Sequence, residues 1–294
     1  MRRPVKPSIP FALLLTIALL QVAPGVWADA PVWRVADGES TVYLGGTVHL
    51  LRPEDYPLPE EFDQAYEGSS ELFFETDISS MNDLSVQAQM LQQFTYSGGR
   101  TLKDVLSTEA YAALETYTAG VGMPLMMLEK FKPGMVVSTL QVLEFQRMGF
   151  TPQGVDAFFN AQALTDGKSV GALETLDEQI GFLAAMGEGN ESEFIMMSLE
   201  DLDRTAKLMD EMIGAWRVGD SQALQILFVD DMLERAPAVY DSLLRQRNLR
   251  WVPQIEAMFN DQDTEFVLVG AAHLVGADGL VELLRARGYD ISKL

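Results

Sequence analysis

Five short apolar runs, each closed by turn-forming residues, do most to limit what this chain can become. They are VWRVA (32–36), TVYLGG (41–46), ELFFE (71–75), SVGAL (169–173) and EFVLVG (265–270), with YDISKL (289–294) as a further candidate. Runs this short read as buried strands, because a helix needs ten or more residues and a 3.6-residue rhythm. Asp37-Gly38 between the first two is a hairpin signal. Helical stretches separate the later runs, which favours parallel pairing through long crossovers. The expected class is α/β: a mixed, largely parallel central sheet with a large embedded helical region.

The helical material has its own signals. STEAYAALETYTAG (107–120) opens on Ser107 as an N-cap and closes at Gly120. From 195 to 216, apolar residues fall at Ile195, Leu199, Leu202, Ala206, Met209, Ile213 and Trp216. Steps of three and four mark one buried face. Further helices are read over 221–233 and 238–259, the second disturbed by Pro253. Residues of about 80–165 and 175–260 are therefore read as mainly helical insertions between core strands, within a single domain spanning 29–294. The methionine-rich MPLMMLEKFKPGM (123–135) is read first as core filling, and second as a surface that grips peptides.

Residues 1–28 read as a cleaved signal peptide. Arg2, Arg3 and Lys6 precede the apolar FALLLTIALL (11–20), and Val26 and Ala28 occupy the positions that set a cleavage site. The mature chain is expected to be secreted, to the periplasm first of all, and soluble, since no later run is long and apolar enough to span a bilayer. The formal net charge is −22 and no basic stripe offsets it, which excludes nucleic acid as the expected partner. Cysteine is absent. That removes disulfides, thiol nucleophiles and thiolate metal ligands, and leaves stability to an ordinary core.

The chain holds only two histidines, His49 and His273, and each stands three residues after a glycine that closes a strand-like run, Gly46 and Gly270. The C-terminal ends of parallel strands form the crevice where α/β proteins bind ligands, so two histidines leaving two such ends can converge. Glycine before each lets the backbone turn sharply or approach a ligand closely. Glu75 ends a third run, with Asp77 just beyond, and Glu174 ends a fourth. His49, His273 and Glu75 make a facial set for a divalent metal with open positions for water and substrate. Asp77, Asp156 and Glu174 are secondary candidates, with a cap or loop role favoured for Asp156 and Glu174.

Other designs lack their parts. There is no H-E-x-x-H or P-loop, and a serine triad would leave one histidine unexplained. If both histidines are ligands, a carboxylate or metal-activated water must act as base, with Arg247 as a cation for the oxyanion.

The residues that carry this site also carry a resemblance. Gly46-Thr47-Val48-His49 and Gly270-Ala271-Ala272-His273, with Glu75 after the first, resemble the paired G-x-x-H signature of the TraB/GumN family, in the superfamily of the Tiki metalloproteases. GVDAFF with Asp156, GALETLDEQ with Glu174, WRVGD (216–220), RNLRW (247–251) and HLVGADGLVELLRARGYDI (273–291) are similar to GumN-type members. The resemblance implies a metal-dependent peptidase acting on a peptide or protein substrate, with manganese or cobalt as the metal and zinc as a further option. The family is functionally mixed, so two alternatives stand beside it. One is a non-catalytic periplasmic protein that sequesters peptide, haem or metal, and the other is a metal-independent ester hydrolase.

Overall fold

A computed structural model describes residues 30–260 and 262–294, so the signal peptide read at 1–28 lies outside the described residues. The strands are β1 (Val32–Asp37), β2 (Ser40–Thr47), β3 (Glu71–Phe74), β4 (Ser169–Ala172), β5 (Glu265–Gly270) and β6 (Asp290–Lys293). They form one sheet in the order β4-β3-β5-β2-β1-β6. β2, β5, β3 and β4 run parallel, while β1 pairs antiparallel with both β2 and β6. The α/β class and the largely parallel sheet are as the sequence predicts. Gly38 makes the β1–β2 turn at φ +60°, a conformation that glycine adopts without strain.

Alternation along the central strand builds two cores. Phe266 and Leu268 of β5 face one side, with Leu72 and Phe74 of β3. There they meet Phe62, Phe159 and Trp216 from the helices Glu60–Gly68, Val155–Asp166 and Glu191–Arg217. Val267 and Val269 face the other side, where Trp251, Val252 and Ile255 of helix Gln246–Met258 cover them, with Leu280 and Leu284. Fully burying such side chains contributes roughly 1.5–3 kcal/mol each. A third core is wholly helical and joins Leu102, Leu114 and Leu140 to Ile195, Leu199 and Leu202. The face read from 195 to 216 is therefore shared, its first half facing the helical core and its second half the sheet.

Three local expectations need correction. Residues 221–233 are not one regular helix, because Gln225–Asp230 widens into a π-helical turn, and Asp241–Arg245 does the same before helix Gln246–Met258. That second helix runs straight through Pro253. Pro253 is exposed, so water can satisfy the carbonyl it leaves without a donor. In the methionine-rich segment, Leu125 and Leu128 are buried while Met126 and Met127 are 79% and 64% exposed, so core filling does not describe those two. Among the described residues no helix is long and apolar enough to cross a membrane.

Candidate active site

Register alone brings the site together. Thr47, the last residue of β2, is paired with Gly270, the last of β5. His49 follows two residues beyond the first and His273 three beyond the second, in a 3-10 turn. Glu75 directly follows β3, and Glu174 continues the ladder past β4, its N–H donating to the Glu75 carbonyl at 3.0 Å. Parallel strands end on the same edge, so four chemistry-bearing residues emerge together.

The glycines work by closeness, which corrects their reading as turn residues. Gly46 lies inside β2, and neither it nor Gly270 has positive φ. A Cβ on Gly46 would stand 3.2 Å from the Ala271 Cα, and one on Gly270 would stand 3.2 Å from Glu75 Oε1. The Gly270 N–H donates to that same oxygen at 2.7 Å.

His273 is buried against the Trp251 ring, with centroids 4.5 Å apart. Burial pushes its pKa down to about 3, so the ring is neutral near pH 7. Its Nδ1–H donates to Asn248 Oδ1 at 2.6 Å. The Asn248 amide nitrogen is committed to the carbonyls of His273 and Asp278, which fixes the oxygen toward the ring. The Nε2 lone pair accepts from Arg247 Nη1 at 3.2 Å and lies 3.7 Å from Glu75 Oε1.

His49 is held in the same way but exposed. Its Nδ1 lies 2.8 Å from Asp156 Oδ2, while Asp156 Oδ1 accepts the Thr47 hydroxyl at 2.8 Å. Asp156 raises the His49 pKa, to about 9. The side chain is 64% exposed, so solvent screening discounts the energy of this pair while substrate can reach Nε2. Asp156 sits in the first turn of helix Val155–Asp166, where the helix dipole favours a negative charge. Gly154 lets that helix dock, since a Cβ there would lie 2.2 Å from the His49 carbonyl carbon. The Val155 N–H donates to the Val48 carbonyl at 3.0 Å.

Between these arms lies a buried charge cluster. Arg247 Nη2 donates to Glu75 Oε2 at 2.5 Å and Glu174 Oε1 at 2.6 Å, and its Nε donates to Glu174 Oε2 at 3.1 Å. The guanidinium packs 4.6 Å from the Trp251 ring centroid. Burial works against an ionised Glu75, but His273, Arg247, His49 and the Gly270 N–H outweigh it and lower the pKa to about 2. Burial raises Glu174, with Arg247 opposing. Arg247 is thus engaged on every side, its Nη1 also lying 3.2 Å from the Leu243 carbonyl and 3.2 Å from His273 Nε2.

The sequence candidates divide clearly. His49, Glu75, Arg247 and His273 all line one cavity of about 340 Å³. Asp156 and Glu174, read mainly as cap or loop residues, instead hold His49 and Arg247. Asp77 is exposed and caps the short turn Ile78–Asn82 through the Ser79 and Ser80 N–H groups, away from the site. The sequence reading omitted Asn248, Trp251 and Thr47, although all three lie inside segments it singled out.

A divalent ion fits the donor set in kind. Each histidine has Nδ1 tied to an outer oxygen, the arrangement that orients metal-ligating imidazoles, and Glu75 is ionised beside them; His273 Nε2 is held by Arg247 Nη1, which an ion would displace. Among the described residues no three His, Asp or Glu side chains are already grouped to hold an ion. Arg247 instead supplies the positive charge next to His273 Nε2.

The profile of the TraB/PrgY/gumN family matches residues 31–293. The uncharacterized protein YbaP of Escherichia coli is 23% identical over 249 residues, covering 84% of this chain and 89% of its own. Metalloprotease TIKI2 of Danio rerio is 25% identical, covering 85% of this chain and 57% of its own. The metalloprotease TIKI homolog of Nematostella vectensis is 22% identical, covering 85% and 64%. The chain spans less than two thirds of those two TIKI proteins. No solved structure matches it. Because the family match runs from β1 through β6, the chain belongs to the TraB/PrgY/gumN family.

Proposed function

We propose that this protein is a secreted hydrolase that cuts peptide bonds, with His49, His273 and Glu75 as the ligands of a divalent ion. The observation that carries the reading is the pair of imidazoles at adjacent strand ends, each clamped through Nδ1 by an outer oxygen, with Glu75 beside His273. The likeness to TIKI metalloproteases supports the reaction class and points to a metal. Manganese and cobalt come first and zinc follows.

When bound, the ion would supply Lewis acidity toward the scissile carbonyl and lower the pKa of a water. The chain's own groups do the rest. Asp156 orients His49, and Asn248 fixes the His273 tautomer. Glu75 contributes negative charge as a ligand and is the nearest carboxylate able to take a proton. Arg247 bridges Glu75 and Glu174 and places positive charge where an oxyanion would develop. The basic, apolar start of the sequence supports export, and the periplasm is the proposed compartment.

One observation favours a second reading, a metal-independent hydrolase: Arg247 already occupies the cationic position beside His273. His49 would then be the base, but a pKa of about 9 keeps it protonated near neutral pH, which suits an acid better. The deciding experiment is peptide-library cleavage by purified protein with and without chelator, followed by manganese, cobalt or zinc. Activity that chelator removes and metal restores, with about one ion per chain lost in His49→Ala and His273→Ala, is the expected result. Cleavage that persists without metal would establish the second reading.

A further inference from the structure

Two cavities meet at this site, and their walls differ in kind. The first, of about 340 Å³, is walled by Phe145, Met209, Met212, Phe228, Met232 and Leu244. Its polar side chains are the strand-end groups Thr47, His49, Glu75 and His273, with Arg247 from helix Gln246–Met258. The second, of about 490 Å³, shares His49, Glu75, Leu243 and Arg247 with the first and adds Thr76, Asp156 and Gln179 among apolar residues such as Phe74, Ile78 and Phe182. Thr76 is buried, and its hydroxyl has no hydrogen-bond partner among the described residues. The reactive groups therefore stand on the ridge between an apolar chamber and a mixed polar one.

From this we infer that the substrate is a peptide with a bulky apolar side chain, such as Leu, Met or Phe, on one side of the bond that is cut. That side chain fills the first cavity. The chain on the other side runs into the second, where the Thr76 hydroxyl meets a backbone polar group. The inference rests on the peptidase reading of the same site and adds its specificity.

Four considerations point this way. A charged side chain placed in the first cavity would lose its hydration against methionine and phenylalanine walls, with no partner there to repay it. Three of the wall residues are methionines, whose unbranched side chains adapt to different apolar shapes, so the preference is for a class of residue and not a single one. Both π-helical turns contribute wall residues, Phe228 from Gln225–Asp230 and Leu244 from Asp241–Arg245, and such widened turns recur where a helix has been shaped around a site. The orphan Thr76 hydroxyl is a buried donor and acceptor of the kind that a bound main chain satisfies.

The test uses the full mature chain, manganese, and internally quenched peptides that differ at one position: Leu, Met, Phe, Ala, Asp or Lys. We expect kcat/KM for the large apolar residues to exceed Ala by about tenfold or more, with Asp and Lys lower still. Met232→Trp, a wall substitution outside the reacting groups, should erase that advantage, bringing the ratio of Leu to Ala kcat/KM close to one. Phe228→Ala provides a second wall change, and should shift the preference toward larger residues. Cleavage with no preference, or with Ala or a charged residue preferred, overturns the inference and leaves the peptidase reading intact. If no peptide is cut, the peptidase reading fails, and calorimetric binding of the same peptides decides the specificity. Apolar-selective binding weakened by Met232→Trp upholds it, and its absence overturns it.

Discussion

Asn248 grips His273 from two directions: its side-chain oxygen accepts the ring Nδ1–H at 2.6 Å while its amide donates to the His273 carbonyl at 3.1 Å. Asn248→Leu removes both and strands a buried ring N–H. We expect a loss of roughly 1–3 kcal/mol in urea unfolding, because a buried donor without a partner costs its full desolvation. Nitrogen NMR of the imidazole should show the tautomer no longer fixed at Nδ1–H.

Arg247→Met leaves Glu75 and Glu174 buried together without the guanidinium that pairs them. Breaking a buried ion pair from one side typically costs about 3–5 kcal/mol, so the variant should be strongly destabilised near neutral pH and partly recover in mild acid. Denaturant melts at the two pH values check this. An unchanged midpoint would mean that the cluster carries no stability.

Asp156→Asn keeps a partner for Thr47 but removes the charge that orients and protonates His49. Metal affinity should fall by about 10–100-fold, the usual effect of losing an outer-sphere carboxylate, with little change in melting temperature. Calorimetric titration with manganese reads the first quantity and thermal melts the second.

Gly154→Ala should cost about 1–3 kcal/mol and weaken the site, since the new methyl meets backbone atoms of Val48 and His49 that cannot move aside. Gly181 is the control. It lies in helix Leu176–Ala185 with nothing within 4 Å of its added Cβ, so Gly181→Ala should be neutral or stabilise by up to about 1 kcal/mol.

The metal-free protein should be labile in acid. Folded His273 has its pKa lowered by burial to about 3, against 6.5 when unfolded, so between those values only the unfolded chain takes up the proton. Stability from this group is full above 6.5 and falls by roughly 1.4 kcal/mol per unit as pH drops toward 3. Glu75, at about 2 against 4.5, adds a slope of the same sign below 4.5. His49 works in the other window: raised to about 9, it contributes fully below 6.5 and loses its contribution as pH rises through 9, weakly because it is exposed. His273→Gln should flatten the melting-temperature profile between pH 6.5 and 4.5.

Much of this site is legible in the sequence for a geometric reason. Parallel strands end on one edge, so reading where an apolar run stops also locates the residue that follows it, as with His49, Glu75, Glu174 and His273. Asn248 and Trp251 are hidden because they reach His273 only when helix Gln246–Met258 crosses behind β5, and neither residue type announces such a contact. Asp156 stands in a quoted segment, but its partner is 107 positions away and no periodicity links the two. The π-helical turns are hidden too, since widening by one residue leaves the apolar pattern nearly unchanged. Gly46, Gly154 and Gly270 are visible as glycines, yet only the structure shows the contacts for which they make room.

Glu75 and Gly270 are joined across 195 positions, by the strand that fills the gap between β2 and β3. Until that strand is seated, His49 and Glu75 stand on separate pieces of unfinished sheet and His273 has no place beside them. A chain built this way carries no working site during its synthesis or while it is held unfolded. Any hydrolytic activity would begin only when the middle of the sheet is closed, which makes turnover itself a readout of completed folding.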